Sequence, residues 1–144
     1  MMRILALCVG NICRSPIAQA LLARELPAHE ISSAGLSALV GQAADPQAKD
    51  VARRHGLDLS EHRAQQITGP LCLQHDLVLV MEQAHKEWLE NQHPHVRGKV
   101  FRLGQLGDFD IADPYRQDAE AFEAAYAAIA RGVSDWAPRI RKLS

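Results

Sequence analysis

The sequence predicts a single α/β domain in which helices cover both faces of a four-stranded parallel sheet. Apolar runs of strand length alternate with longer amphipathic segments, an order typical of βα units. The run 76–81 is apolar after its first residue, as expected for a strand covered on both faces. A chain of 144 residues with 47% hydrophobic residues can bury one core. We therefore expect one domain over residues 1–144.

The first expected strand covers residues 3–7 and leads into a helix, because Pro16 fits a first turn and Ser15 can cap it. Asp45, which also precedes a proline, opens a second helix in the same way. Pro138 should kink or end the last helix. The other expected elements are strands at 30–33, 76–81 and 99–103, a loop at 34–44, a helix at 83–92, and a long helix from about 118 with Phe122, Tyr126, Ile129, Val133 and Trp136 on one face.

Charge and hydropathy argue against two kinds of partner. Lys and Arg number 16 against 17 Asp and Glu, a net charge of -1, so no bulk basicity favours nucleic acid. No apolar run approaches the roughly 20 residues of a membrane span. The start, Met1-Met2-Arg3, runs directly into the first strand without the apolar core of a signal peptide. We expect a cytoplasmic protein without membrane insertion.

The three cysteines indicate chemistry rather than cross-linking, and the histidines are interpreted as solvated rather than as metal ligands. Three cysteines cannot form a complete set of disulfides. Cys72 is interpreted as structural. His93 and His95 form a His-x-His pair, but no third ligand lies nearby, so a solvated surface is favoured over a metal site.

The segment from Cys8 to Ser15, Cys-Val-Gly-Asn-Ile-Cys-Arg-Ser, places a thiol and a guanidinium at the two ends of a strand-to-helix loop. Unpaired backbone N–H groups and the helix dipole favour negative charge there, which stabilises a thiolate and prepares a seat for a phosphate. Arg14 adds a planar fork of donors that matches phosphate oxygens. The loop therefore indicates nucleophilic attack on phosphorus.

This Cys-x5-Arg-Ser loop resembles that of the cysteine-dependent protein tyrosine phosphatases. The residues between Cys8 and Arg14, Val-Gly-Asn-Ile-Cys, and the Ser-Pro that follows resemble their low-molecular-weight branch. The resemblance extends from Ile4 to about Trp136. It implies strand order 2-1-3-4, a phosphotyrosine protein as substrate, and no metal or other cofactor. A monomer or weak dimer is expected.

The resemblance also implies roles for individual residues. Cys8 would form a phosphocysteine while Arg14 holds the phosphate oxygens, and Asp113 in Asp-Pro-Tyr would be the general acid. Leu39 and Tyr115 would flank the substrate ring. The remaining phosphate-binding positions would be Val9, Gly10, Asn11, Ile12, Cys13 and Ser15.

Supporting residues are implied as well. Asn11 would adopt a conformation that asparagine tolerates, held by Ser33 and His62. Ser15 would hydrogen-bond the thiolate of Cys8. Cys13 could form a reversible disulfide with Cys8, which would protect the nucleophile from irreversible oxidation.

Two departures from the eukaryotic relatives, together with Glu82 at the end of the third strand, resemble a bacterial branch that accompanies autophosphorylating tyrosine kinases of capsule and exopolysaccharide export. Leu39 stands where many eukaryotic relatives carry an aromatic residue, Arg116 replaces a second tyrosine, and Glu82 follows the third strand. A thioredoxin-coupled arsenate reductase of the same fold is the alternative. It relays electrons through two further cysteines after the third strand, whereas this chain has only Cys72, before that strand.

Overall fold

The computed structural model describes residues 1–143, and in this part of the chain it contains four strands and five α-helices. Two single 3₁₀ turns, Pro94–Val96 and Gln105–Gly107, flank the last strand. The elements in chain order are β1 Arg3–Cys8, α1 Arg14–Glu25, β2 Glu30–Gly35, α2 Pro46–Arg54, α3 Gly69–Leu73, β3 Leu77–Val80, α4 Gln83–Gln92, β4 Val100–Arg102 and α5 Ala119–Leu143.

The four strands form one parallel sheet in the order β2-β1-β3-β4, which confirms the expected order. Cys8 at the end of β1 pairs with Gly35 at the end of β2, and Ala6 pairs with Leu79 of β3. Since all strands run in one direction, their carboxyl ends meet at one edge of the sheet. Ligands of open α/β sheets bind beyond that edge.

Two cores lie on opposite faces of the sheet because successive strand residues point to opposite sides. Ile4 and Ala6 of β1 face a cluster built with α1, α2 and α5. Leu5 and Leu7 face a second cluster that includes Cys72 of α3 and one residue of α4. Helices therefore cover both faces, as the sequence predicts.

Two local predictions are wrong or only partly right. Cys13, not Ser15, occupies the N-cap of α1, because the Ser15 hydroxyl is already hydrogen-bonded to other side chains of the loop. Pro138 does not end α5, which continues to Leu143. Pro138 has no N–H, so the carbonyl of Ser134 loses its helical hydrogen bond. Both residues are exposed, so water can solvate that carbonyl.

Other expectations agree with the structure. The Asp45 side chain caps α2 by accepting from the Gln47 N–H at 2.8 Å. The strand at 76–81 is confirmed as Leu77–Val80. The short helix α3 and both 3₁₀ turns were not predicted, because each is too short to show a hydrophobic period. The five residues predicted on one face of α5 are all buried: Phe122, Tyr126, Ile129, Val133 and Trp136.

Candidate active site

The carboxyl edge of the sheet carries a cleft of about 260 Å³ at the turn from β1 to α1. Nine of its lining residues are predicted site residues, and they come from three separate segments of the chain. Ser37 and Arg116 complete the lining. The nine predicted residues are Cys8, Val9, Gly10, Ile12, Cys13, Arg14, Leu39, Asp113 and Tyr115. The other four predicted residues do not line the cleft. Asn11 and Ser15 belong to the loop itself, and Ser33 and His62 hydrogen-bond to Asn11.

Cys8 is the last residue of β1 and is 2% exposed. Its Sγ lies 3.0 Å from Oγ of Ser15. Ser15 Oγ also accepts a hydrogen bond from Nδ2 of Asn11 at 2.7 Å, which leaves the hydroxyl hydrogen available for the sulfur. A serine that donates to the sulfur stabilises a thiolate.

Asn11 shapes the loop through a left-handed backbone with φ of 58°, which asparagine tolerates better than most residues. Its Nδ2 donates to Ser33 Oγ at 3.0 Å, and its Oδ1 accepts from the Gln65 N–H at 2.9 Å. Nε2 of His62 donates to the Asn11 carbonyl at 2.6 Å. Four hydrogen bonds, including the one to Ser15, therefore hold Asn11 in this conformation.

The pKa of His62 is lowered because burial penalises the charged ring, and the nearby Arg63 adds to this effect. The hydrogen bond to the Asn11 carbonyl acts in the opposite direction. Neutral His62 with its proton on Nε2 satisfies that carbonyl.

Arg14 is the largest side chain that is fully buried, with 1% exposure. Its Nη1 donates to Glu82 Oε2 at 2.6 Å and to the Ile111 carbonyl at 2.7 Å. Nη2 lies 3.5 Å from Asp113 Oδ2. Within residues 1–143, Nε of Arg14 has no hydrogen-bond partner. The edge formed by Nε and Nη2 is therefore the edge that can receive phosphate oxygens in the cleft.

Glu82 and His85 complete the surroundings of Arg14, and the sequence analysis predicts a role in the site for neither of them. Nε2 of His85 lies 3.3 Å from the same Oε2 of Glu82 that binds Arg14. Burial lowers the pKa of His85 and the Arg14 cation lowers it further, whereas the carboxylates of Glu82, Asp110 and Asp113 act in the opposite direction. The signal in the sequence is the position of Glu82 two residues beyond β3, at the edge where ligands bind.

Asp113 enters the cleft from the loop that follows β4. Its side chain is 44% exposed, and its Oδ1 accepts from the Tyr115 N–H at 3.1 Å. Gln117 Nε2 donates to the Asp113 carbonyl at 2.8 Å. Tyr115 is 38% exposed and forms one wall of the cleft. A carboxyl group and an aromatic surface thus stand beside the thiol and the guanidinium.

The other two cysteines differ from Cys8 in their surroundings. Cys13 lines the cleft but is 4% exposed, and burial raises its pKa strongly, with smaller effects from Asp45 and Cys8. Cys72 is fully buried in α3, which leads to the amino end of β3 and therefore lies at the opposite edge of the sheet from Cys8. No group of three or more His, Cys, Asp or Glu residues that could hold a metal ion occurs within residues 1–143.

Comparison with known proteins agrees with this geometry. A family model described as low molecular weight phosphotyrosine protein phosphatase matches residues 3–144. The chain belongs to this family. The probable low molecular weight protein-tyrosine-phosphatase EpsP of Ralstonia nicotianae is 56% identical over 140 residues, which are 97% of each chain. The phosphatase Wzb of Salmonella typhimurium is 47% identical over 136 residues, 94% of this chain and 91% of Wzb.

Solved structures of low molecular weight phosphatases share the fold of this chain. The structure of Vibrio vulnificus Wzb in complex with benzylphosphonate has a TM-score of 0.93 and 44% identity, and the match covers 96% of this chain and 98% of that one. The predicted enzyme class, a protein-tyrosine-phosphatase and hence a phosphoric monoester hydrolase, is confirmed by the family and its relatives. The arsenate reductase alternative is not favoured by the relatives. Cys72, the one further cysteine outside the loop, is also in the wrong place for a relay to Cys8.

Proposed function

We propose that this phosphatase hydrolyses phosphotyrosine in proteins through a phosphocysteine on Cys8. The proposal depends on how the guanidinium of Arg14 is hydrogen-bonded. Glu82 and the Ile111 carbonyl occupy Nη1 of its guanidinium, whereas the buried Nε has no hydrogen-bond partner within residues 1–143. Arg14 lines the same cleft as Cys8 and Asp113. A buried fork that is fixed on one side and open on the other is suited to bind two phosphate oxygens.

In the first step, the Cys8 thiolate attacks phosphorus and the bond to the tyrosine oxygen breaks. Arg14 and the loop N–H groups bind the three equatorial oxygens, whose charge the helix N-terminus also favours. Asp113 donates its proton to the departing phenolate, so that tyrosine leaves as a neutral phenol. The exposure of Asp113 and the loose 3.5 Å contact with Arg14 leave this carboxyl free to meet the substrate.

In the second step, water attacks phosphorus and the bond to Cys8 breaks, which releases phosphate. Asp113, now ionised, takes a proton from the water. The Ser15 hydroxyl, 3.0 Å from the sulfur, stabilises the departing thiolate. No metal is needed, because Arg14 and the loop N–H groups supply the required positive charge.

The walls of the cleft favour an aromatic ester over a small aliphatic one. Ile12, Leu39 and Tyr115 give the cleft apolar and aromatic surface above the phosphate seat. Stacking against Tyr115 suits a phenyl ring. The Vibrio vulnificus Wzb complex with benzylphosphonate, a phenyl ring one carbon from phosphorus, supports this assignment.

The physiological substrate that we propose is an autophosphorylated bacterial tyrosine kinase or another phosphotyrosine protein of an exopolysaccharide pathway. The support is the resemblance to the bacterial branch at Leu39, Glu82 and Arg116, together with the bacterial relatives EpsP and Wzb. Such a kinase domain would be met in the cytoplasm. Within residues 1–143, no helix is long and apolar enough to cross a membrane.

The test compares phosphate release from phosphotyrosine, phosphoserine and phosphoarginine peptides, with arsenate reduction assayed in parallel. We expect hydrolysis of the phosphotyrosine peptide to dominate. Cys8→Ser should abolish turnover and still bind vanadate, and Cys72→Ala should remain active as the matched thiol control. Acid quenching of wild-type enzyme with labelled substrate should trap phosphate on Cys8. Turnover by Cys8→Ser, or dominant phosphoserine hydrolysis, would overturn the proposal.

A further inference from the structure

Arg116 is a lining residue of the cleft that the reaction described above does not use. It follows Tyr115 directly and is exposed at the mouth of the cleft. The central carbon of its guanidinium lies over the Tyr115 ring, 5.2 Å from the ring centroid. A cation at this distance from an aromatic ring is held by the negative face of the ring.

The backbone of Arg116 adopts a left-handed conformation with φ of 64°. Arginine has a Cβ that disfavours this conformation and lacks the short polar side chain that helps asparagine to adopt it, so the position is strained. Three hydrogen bonds maintain the turn around it. Tyr115 N–H donates to Asp113 Oδ1, Gln117 N–H donates to the Pro114 carbonyl, and Gln117 Nε2 donates to the Asp113 carbonyl. Strain that a braced turn maintains beside a cleft is a signature of functional positions.

The charge of Arg116 is also unbalanced. Across residues 1–143, no carboxylate lies within ion-pair distance of its guanidinium, whereas Arg14 is paired with Glu82. Of the two carboxyls nearest in sequence, Asp118 accepts from the Ala121 N–H, and Asp113 contacts the Tyr115 N–H and the Arg14 guanidinium instead. A permanent cation without an ion-pair partner therefore stands on the aromatic wall, outside the seat of the phosphate.

We propose that Arg116 determines specificity by binding a carboxylate of an Asp or Glu that neighbours the phosphotyrosine in the substrate protein. This inference rests on the proposed function. A substrate ring that lies along Tyr115 brings its flanking peptide past the mouth of the cleft, where the guanidinium stands. The planar fork of arginine matches a carboxylate with two parallel hydrogen bonds, and stacking on Tyr115 limits the rotations lost on binding.

The test measures kcat/KM for two phosphotyrosine peptides that differ only in having Glu or Gln on both sides of the phosphotyrosine. Exposed ion pairs contribute about 0.2–1 kcal/mol, so the Glu peptide should be preferred about 1.4- to 5-fold at low salt. The preference should fall toward 1 in Arg116→Asn, because asparagine tolerates the left-handed backbone and carries no charge. Arg116→Lys should keep part of it. Added salt should weaken the preference of the wild type.

Arg97→Gln is the matched control, since it removes one exposed arginine ahead of β4, at the opposite edge of the sheet. It should keep the preference of the wild type for the Glu peptide. An equal preference in wild type and Arg116→Asn, or its loss in Arg97→Gln, would overturn the role of Arg116 while hydrolysis of both peptides upholds the proposed phosphatase activity. Failure of the wild type to hydrolyse either peptide would instead overturn the proposed function and this inference with it.

Discussion

Glu82→Gln tests whether the carboxylate of Glu82 balances the buried charge of Arg14. Gln keeps an oxygen that can accept from Nη1, so the change removes charge and leaves the shape nearly unaltered. Glu82 is the residue before α4, and its side chain is 32% exposed, whereas Arg14 is 1% exposed. The substitution therefore leaves a buried cation with weaker compensation. We expect lower stability without phosphate and a larger stabilising effect of phosphate.

Two contributions set the size of the loss. Replacing a hydrogen bond between two charged groups with one to a neutral oxygen costs about 1–1.5 kcal/mol. Removing a negative charge from the N-terminus of α4 costs about 0.3–1 kcal/mol more. The free energy of unfolding should therefore fall by about 1.3–2.5 kcal/mol in phosphate-free buffer. Phosphate supplies negative charge to Arg14 but not to α4, so it should restore only the first contribution.

The assay is urea unfolding of wild type and Glu82→Gln, without phosphate and with phosphate far above both dissociation constants. Under saturation, the extra stabilisation of the variant equals RT times the logarithm of the ratio of the two dissociation constants. An extra 1–1.5 kcal/mol corresponds to about 5- to 13-fold tighter phosphate binding by the variant. Turnover should nevertheless fall about 10- to 100-fold, because a guanidinium held less firmly misplaces the transferring phosphoryl group.

Glu87→Gln is the control, because Glu87 lies on α4 and is exposed, and its substitution makes the same change in charge. Its stability and its response to phosphate should match those of the wild type. The reasoning is refuted if phosphate stabilises Glu82→Gln no more than it stabilises the wild type. In that case the carboxylate of Glu82 would not be balancing the charge of Arg14.

Three further predictions concern other groups of the site. Asp113→Asn should lower kcat about 10²- to 10⁴-fold for phosphotyrosine and less for aryl esters with acidic phenols, and equal losses across a leaving-group series would exclude Asp113 as the acid. Peroxide should inactivate the enzyme reversibly by joining Cys8 to Cys13, and recovery with dithiothreitol should be much poorer in Cys13→Ser; equal recovery would contradict this. Burial lowers the pKa of His62 and His85, so the unfolded chain binds protons first and stability should fall below about pH 6.5. A pH series of urea unfolding should show this slope, and His62→Gln should reduce it.

Features that depend on local sequence could be predicted. The strand-loop-helix around Cys8 follows from an apolar run, a glycine-containing loop and a proline in the first turn. The cap of α2 depends only on adjacent residues, because Asp45 accepts from the Gln47 N–H and Pro46 occupies the first turn. The structure contains this cap. Strand order came from the family resemblance, because pairing between distant strands leaves no local signal.

Features that depend on tertiary contacts could not be predicted. Ser15 was expected to cap α1 by the local rule, but Cys8 and Asn11 bind its hydroxyl across the loop. Glu82 meets Arg14 across 68 residues of sequence, and Gln65 meets Asn11 across 54. A carboxylate after a strand has many possible partners. The sequence alone does not say which of them the fold brings near.

The contacts of Arg14 make the proposed phosphate-binding site depend on the whole fold. Its acceptors lie beyond β3, in Glu82, and after β4, in Ile111 and Asp113, while Arg14 itself begins α1. A guanidinium at 1% exposure is tolerated only while these acceptors surround it, since an uncompensated buried charge is costly. The open edge of the fork therefore exists only when the sheet has brought the three segments together. In the proposed function, phosphate binds that edge and not the unfolded chain, so we expect substrate analogues to stabilise the fold when they occupy the site.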